Sequence, residues 1–547
     1  MWLDWKMIMG ERGLLSHNYK VFLPTAGIGS RVKGQSKNLN KCLIGIDNKP
    51  VISHIIDKFH PKVPIVMALG YGGDYVRQYV EITYPERDFT FIEIDNYDGE
   101  DSGLGLTMNS CKDELQCPFV FVSNDTIFEE QLYFDEIQYN WLGYSTFKAG
   151  SDYRSLVLDD DGNVTRLNDK IKNSKEFSYI GICGIKDYKE FWKFMEEEES
   201  LIMGESYGIK KMLEANESYM TSTSFNSFKF TWYDTGNERA LGVAKEKLKT
   251  EYQPNILEKD DEAIWFANNK TIKFSVDKKF IKDRVKRSKS LEPYIPTIIN
   301  HSNNFYSYDF IEGKVLSDKV TGKKFEYLLS WLDNFWDEFI LGEKDSEKFN
   351  KSCMDFYKDK TISRINLYYT KFKNMDLDNE IVNDNKFPQM NSLLDNIDWE
   401  WISEGVPVIF HGDLHFENIL IKKESKTLPF ALLDWRQNFG DEHRYGDLYY
   451  DLAKLLHGLI ISHDFINQNF YHFSRDMNNV YYDFHRKNTN IECERILENY
   501  VKEKGLDWKK VKVMTALIFL NIAGLHHYPY CHLLYYLGKS MLHEELQ

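Results

Sequence analysis

Residues 411–420 read HGDLHFENIL and residues 433–454 read LDWRQNFGDEHRYGDLYYDLAK, with twelve residues between the two pieces. Within them an Asp-x-x-x-x-Asn run, Asp413 to Asn418, is followed by a second acid, Asp434. Phosphoryl transfer needs a carboxylate to orient an attacking hydroxyl and oxygen ligands to hold Mg²⁺ on nucleotide phosphates. A short loop followed by an Asp on the next strand supplies those groups at workable separations. The apolar runs Val406 to Phe410, Ile419 to Ile421 and Phe430 to Leu433 are short and bounded by polar residues, as buried strands are.

This segment resembles the catalytic core of the choline kinase and aminoglycoside phosphotransferase family, relatives of the protein kinases. The resemblance implies that Asp413 is the catalytic Asp and that Asn418 and Asp434 are metal ligands.

The opening of the chain has a different pattern. Residues 19–56 read YKVFLPTAGIGSRVKGQSKNLNKCLIGIDNKPVISHII. Val21, Phe22 and Leu23 form a short strand, and Gly27, Gly29, Ser30 and Arg31 a glycine-rich turn whose N–H groups can approach phosphates. Lys41 leads into a strand from Cys42 to Ile46, and a Lys49-Pro50 turn precedes a helix with Val51, Ile52, Ile55, Ile56 and Phe59 on its apolar face. That order resembles the nucleoside-triphosphate-transferase family, which joins NTP to a sugar 1-phosphate or phosphocholine. The chain departs from the family at Asn40, where Pro is usual, and at Thr25, where a smaller residue is commoner.

The resemblance assigns further residues. Asp125, ending the apolar strand Pro118 to Val122, becomes one metal ligand, and Asp234 of Trp232-Tyr233-Asp234-Thr235-Gly236 the second. The turn containing Gly103 would face the nucleotide base, and Lys170 the acceptor phosphate. Two anions must meet in this reaction, so Mg²⁺ between two carboxylates, with Arg31, Lys41 and Lys170, would offset their repulsion.

From Asn255 the pattern turns to short strands, Ala263 to Phe266 and Thr271 to Phe274, after a charged helix from Asn237 to Lys249. In the kinase-like family a strand Lys meets the α- and β-phosphates, and Lys273 occupies that place. Asn304 to Gly313 resembles the hinge between kinase lobes, and Phe325 to Phe339 and Lys348 to Phe372 read as helices with core-packing aromatics.

The expected fold class is α/β: an N-terminal Rossmann-like (GT-A-like) nucleotidyltransferase domain and a C-terminal, two-lobed, protein-kinase-like domain. The expected boundaries are a lead at 1–18, a nucleotidyltransferase domain at 19–250, a kinase-like N-lobe at 251–315 and a C-lobe at 316–547. Together they imply two consecutive steps. ATP phosphorylates a small acceptor, and a pyrimidine NTP then transfers CMP or UMP to the acceptor phosphate, for surface polysaccharide. The acceptor turns on Arg436, which stands where choline kinases often have Glu after Asp-Trp. A guanidinium suits a carboxylate, phosphate or hydroxyl-rich acceptor. Three alternatives stay open: Arg436 only bridges to Asp441 or Glu442, Trp401 and Trp435 suit choline or ethanolamine through cation–π contacts, or the kinase-like domain is a degenerate module that binds a metabolite beside an active nucleotidyltransferase.

The totals narrow the partners. The 547 residues carry 68 basic and 84 acidic side chains, a formal net charge of −16, which disfavours a nucleic-acid partner. No window approaches the apolar length of a membrane span. The start, MWLDWKMIMGERG, interrupts its apolar part with Asp4 and Lys6, a poor secretory signal. Seven cysteines without a CxxC pair read as free thiols in the cytoplasm. The expected partners are small-molecule substrates; the oligomeric state is left open.

Overall fold

Val21, Phe22 and Leu23 are all buried, with no alternation between faces. A strand of that kind sits inside a sheet covered on both sides. In the computed structural model, which describes residues 17–29, 39–99, 102–170, 174–217, 224–249, 261–373, 376–423, 425 and 428–547, Lys20–Pro24 runs parallel between Ile65–Leu69 and Phe119–Val122. Ile65–Leu69 in turn pairs in parallel with Phe89–Glu93. Beyond Phe119–Val122 the nine-stranded sheet continues antiparallel through Ser174–Ile185. One face carries the cluster around Val21, Ile52, Ile55, Met67 and Val80, the other that around Phe22, Met108, Phe121 and Ile209. The parallel strands place their carboxyl ends together, where α/β sheets bind ligands.

The chain divides into two compact units, residues 1–277 with 300–307, and residues 278–299 with 308–547. The hairpin Glu262–Ala267 and Lys270–Ser275 belongs to the first. Its apolar side joins that unit's core, with Trp265 edge-on to Tyr79 at 5.4 Å and Phe274 edge-on to Tyr75 at 5.0 Å between ring centres. Polar bonds seal the same contact: Asn268 Nδ2 donates to the Thr83 carbonyl at 2.7 Å, and Lys270 Nζ to that of Ile82 at 3.1 Å.

The second unit is mainly helical. Leu448–Ile460 is buried all round, and Trp508–Ala523 and Tyr530–Leu546 bury most of their length beside it. Short strands carry the catalytic-type segments: Pro407–Val408 pairs with Gly446–Asp447, and Ile419–Lys422 lies between Gly313–Val315 and Phe430–Leu432. The helical reading of Phe325 to Phe339 holds only to Leu332. Beyond it the Phe339 N–H bonds the Pro407 carbonyl at 2.8 Å, and Asp337 offers its carbonyl to the Ile409 N–H at 2.9 Å. Strand-type bonding to the segment before His411 outweighs the apolar periodicity there. Between the helices Glu343–Met354 and Lys360–Phe372 the chain makes one π-helical turn, Asp355–Asp359. Such turns shift a helix's register by one residue and often mark functional positions.

Among the described residues no helix is long and apolar enough to cross a membrane.

Candidate functional site

In the first unit two carboxylates converge. Asp125 follows the carboxyl end of Phe119–Val122, and Asp234 ends the strand Trp232–Asp234, which pairs antiparallel with Thr126–Phe128. The turn after Asp234 ties them together: the Thr235 N–H and hydroxyl both donate to the Asp125 carbonyl, at 2.9 and 3.0 Å. Gly236 fills the space between them. A methyl group there would lie 3.0 Å from Asp125 Oδ2 and 3.0 Å from Asp234 Oδ1, so any side chain would push the carboxylates apart.

Each acid has a defined partner set. Lys41 Nζ reaches Asp125 Oδ2 at 2.9 Å and the Ser123 hydroxyl donates to Oδ1 at 2.5 Å. Asp234 accepts from the Tyr153 hydroxyl at 2.9 Å and from the Gly236 N–H at 2.8 Å. Burial, with Asp234 beside it, pushes the Tyr153 phenol far above its ordinary range, so it stays a donor. Among the described residues no group of three or more His, Cys, Asp or Glu could hold a metal. A pair of hard carboxylate oxygens is nevertheless the donor set Mg²⁺ takes when substrate phosphates and waters complete its shell, so these residues fit the ion.

The loop ahead of the acids packs closely. Gly29 has φ +68°, and a Cβ there would sit 2.9 Å from Lys41 Cβ, so the glycine lets the loop lie against the lysine. Gly27 lies in the same loop, while Ser30 and Arg31 lie outside the described residues. Both departures from the family pattern make buried hydrogen bonds of their own. The Asn40 amide, fully buried, donates to the carbonyls of Thr25 and Tyr71 at 2.7 Å each and accepts from the Cys42 N–H at 3.0 Å. The Thr25 hydroxyl donates to Ala68 O at 2.7 Å. Asn40 has φ −61°, an angle proline also holds, so the backbone shape is the one the family's Pro would give. Gly103 caps the helix Leu104–Ser110. Lys170 is exposed just beyond the strand Val164–Asn168, whereas its neighbour Asp169 pairs with Lys210 at 2.5 Å. Lys273 sits buried on the strand Lys270–Ser275.

The second unit gathers Asp413, Asn418 and Asp434 around a held loop. Asp451, on the helix Leu448–Ile460, accepts from the His411 N–H at 2.6 Å, the Gly412 N–H at 2.7 Å and the Trp336 indole at 3.1 Å. Burial raises its carboxyl to about 6. Arg287, fully buried on the helix Lys278–Leu291, donates to the carbonyls of Phe410, Arg436 and His443, clamping both pieces of the motif. Asn418 Nδ2 donates to the Asp413 carbonyl at 2.9 Å and to its Oδ2 at 3.3 Å, which leaves the amide oxygen available to a cation. Asp434 lies just past the strand Phe430–Leu432 rather than on it, at φ +55°, and Arg284 holds its Oδ1 at 3.2 Å. That left-handed turn is costly for a non-glycine residue and re-aims the carboxylate away from strand geometry. Asn418 and Asp434 thus offer oxygen ligands that fit Mg²⁺ on a nucleotide.

Asp413 has two different sides. Its Oδ1 meets Lys454 Nζ at 2.8 Å, and its Oδ2 faces His415 Nε2 at 3.7 Å. Partial burial works against its charge, yet Lys454 and His415 hold the carboxyl well below the usual range. His415 also meets Glu417 at 2.9 Å; burial opposes its charge, but the two acids lift it to about 9.

Arg436 bonds the Asn438 carbonyl at 3.1 Å and stacks its guanidinium 4.6 Å above Phe356. The bridge to Glu442 does not form, since Glu442 pairs with Arg444. Trp435 is fully buried with its indole on the Arg284 carbonyl, and Trp401 is covered by Lys510 at 5.9 Å. Lys454, His415, Asp451 and Arg287 were not singled out by the sequence. The i, i+3 pair Asp451 and Lys454 in DLYYDLAK was the available signal.

Residues 366–474 match the model of the phosphotransferase enzyme family. Over 245 residues the chain is 26% identical to the bifunctional protein GlmU of Methanocaldococcus jannaschii, covering 44% of this chain and 56% of that one. Over 176 residues it is 21% identical to the UTP–glucose-1-phosphate uridylyltransferase AglF of Haloferax volcanii, covering 32% of this chain and 63% of the other. The chain spans about half the length of the GlmU proteins that it matches, 56% and 50% for two of them. Among solved structures, the CTP:phosphocholine cytidylyltransferase of Streptococcus pneumoniae aligns with 42% of this chain and 100% of its own, at 16% identity and a TM-score of 0.36. The chain joins an N-terminal part similar to nucleotidyltransferases to a C-terminal segment of phosphotransferase type.

Proposed function

We propose that the protein is a bifunctional enzyme of the cytoplasm. It phosphorylates a small hydroxylated acceptor with ATP, then transfers CMP or UMP from an NTP to the new phosphate with release of pyrophosphate, for surface polysaccharide biosynthesis. The observation that carries this reading is the presence on one chain of two carboxylate centres of complementary kind. Asp125 and Asp234 meet beside Lys41, and Asp413 stands beside Asn418, whose carbonyl accepts from the N–H of Leu433, the residue before Asp434. One centre suits consuming a phosphate monoester and the other making one.

In the first step Asp413, kept ionised by Lys454 and His415, orients the acceptor hydroxyl and takes its proton. The hydroxyl oxygen bonds to the γ-phosphorus as the bond to ADP breaks. In the second step the acceptor phosphate attacks the NTP α-phosphorus and pyrophosphate leaves. Lys41 neutralises charge at Asp125, and Tyr153 fixes the orientation of Asp234. Mg²⁺, held by Asp125 and Asp234 and separately by Asn418 and Asp434, would screen the phosphate charges. The uridylyltransferase relative supports a pyrimidine NTP.

The test is mass spectrometry after incubating the full chain with MgATP, the four NTPs and pooled acceptors. An NDP-linked acceptor is expected. Asp125→Ala should abolish pyrophosphate release and leave ADP formation intact, and Asp413→Ala should abolish ADP formation. Pyrophosphate release that survives Asp125→Ala would refute the first site.

A further inference from the structure

Two basic side chains share one aromatic ring near Asp413, and a third lies a helical turn away. Lys360 Nζ lies 4.1 Å from the centre of the Phe356 ring, and the Arg436 guanidinium 4.6 Å from the same centre. Arg364 follows one helical turn after Lys360 on the helix Lys360–Phe372. Among the described residues none of Lys360, Arg364 and Arg436 has a salt-bridge partner, although the two arginines and the lysine are only half-buried. The acid whose charge reaches Lys360, Asp413, is already engaged by Lys454 at 2.8 Å.

The cost of this crowding is visible at Lys360. Burial and the charges of Arg436, Lys454 and Arg364 bring its ammonium down to about 6, with Asp413 pulling the other way. Like charges held together out of water repel unless an anion joins them. The cluster also borders the loop that carries Asp413: Arg436 packs against Gly412, one residue before it. The Oδ2 side carries Asn418, the proposed metal ligand, whereas the Oδ1 side carries Lys454, whose charge Lys360 feels. The nucleotide belongs to the first side, so the cations are left to the acceptor. The π-helical turn Asp355–Asp359 is what sets Phe356 and Lys360 at this register.

We propose that the phosphoryl acceptor is itself an anion: a hydroxyl compound carrying a carboxylate or phosphate group, bound by Lys360, Arg364 and Arg436 with its hydroxyl against Asp413. The inference rests on the kinase reading above. The guanidinium forks match either group in bidentate geometry, and a cationic alcohol is repelled. The reaction balances as before: the hydroxyl oxygen gains the γ-phosphoryl group, ADP leaves, and the hydroxyl proton passes through Asp413 to solvent.

The test measures ADP release by the full chain with MgATP and acceptors matched in size: glycerol, D-glycerate, glycerol 3-phosphate and choline, then glucose, gluconate and glucose 6-phosphate. An anionic member should exceed its neutral match at least tenfold, and the carboxylate and phosphate arms decide which anion is taken. Lys360→Met, Arg364→Met and Arg436→Met should each raise the KM for that acceptor tenfold or more, with the KM for ATP within twofold. Arg364 supplies the check if the better-packed Arg436 variant fails to fold. If glycerol, glucose or choline is the best acceptor and Asp413→Ala still abolishes turnover, the anion inference falls and the kinase reading stands. If no acceptor raises ADP release and Asp413→Ala changes nothing, both fall. If none raises it but Asp413→Ala lowers basal ATP hydrolysis, the anion inference alone falls.

Discussion

His415 should be a charged residue across the physiological range, and removing it should cost stability in a way that depends on pH. The ring stands 17% exposed, with Glu417 at 2.9 Å from one nitrogen and Asp413 at 3.7 Å from the other. Its pKa rises from 6.5 to about 9. A rise of that size corresponds to roughly 3 kcal/mol of stabilisation of the charged form by the fold. Because the folded value lies above the unfolded one, the contribution is complete below pH 6.5 and is lost as pH rises through about 9. In His415→Leu, Asp413 and Glu417 lose their shared counter-charge. The variant should therefore melt well below the parent at pH 6, and the two melting temperatures should converge toward pH 9.5. NMR of the chain with ¹³C-labelled histidine gives the direct measurement, with the missing signal in His415→Leu supplying the assignment. A His415 resonance that titrates at or below 6.5 would refute the reasoning, because an imidazole neutral at pH 7 cannot stabilise either acid by charge.

Two further outcomes follow from buried polar groups. Asn40→Ala should destabilise the first unit by about 2–4 kcal/mol, since it strips partners from two carbonyls and an N–H in a buried site, and it should raise the KM for NTP. Thermal melting and pyrophosphate-release kinetics check it together. Lys539→Met should cost about 3–5 kcal/mol, because Lys539 is fully buried between Glu380 at 2.6 Å and Asp376 at 2.8 Å and its loss strands the Glu380 charge. A melting temperature within 1–2 °C of the parent, where such a loss predicts several degrees, would show that Arg475, 3.0 Å from Glu380, suffices alone.

Much of this molecule is readable from sequence because its chemistry is local in the chain. Gly29 and Lys41, Asp413 and Asn418, and the buried run at Val21 to Leu23 each lie within a dozen or so residues, where turn geometry and apolar runs determine what is possible. The convergence of Asp125 and Asp234 followed only from resemblance, since two strands distant in sequence must pair before the carboxylates meet around Gly236. Short strand runs gave the hairpin Glu262–Ser275 its strands but no information on which core it joins; Tyr75, Tyr79, Trp265 and Phe274 decide that by packing. Arg436 is the sharpest case. In sequence it is one basic residue after Asp-Trp, equally suited to a salt bridge or a ligand. Its surroundings come from a helix, a π-helical turn and a catalytic loop brought together by folding, and a side chain's electrostatic role depends on which charges stand near it in space. The motifs in the sequence therefore pointed to two kinds of chemistry, and only the tertiary structure brought Lys360 and Arg436 onto one ring, with Arg364 a helical turn away and Lys454 already holding Asp413.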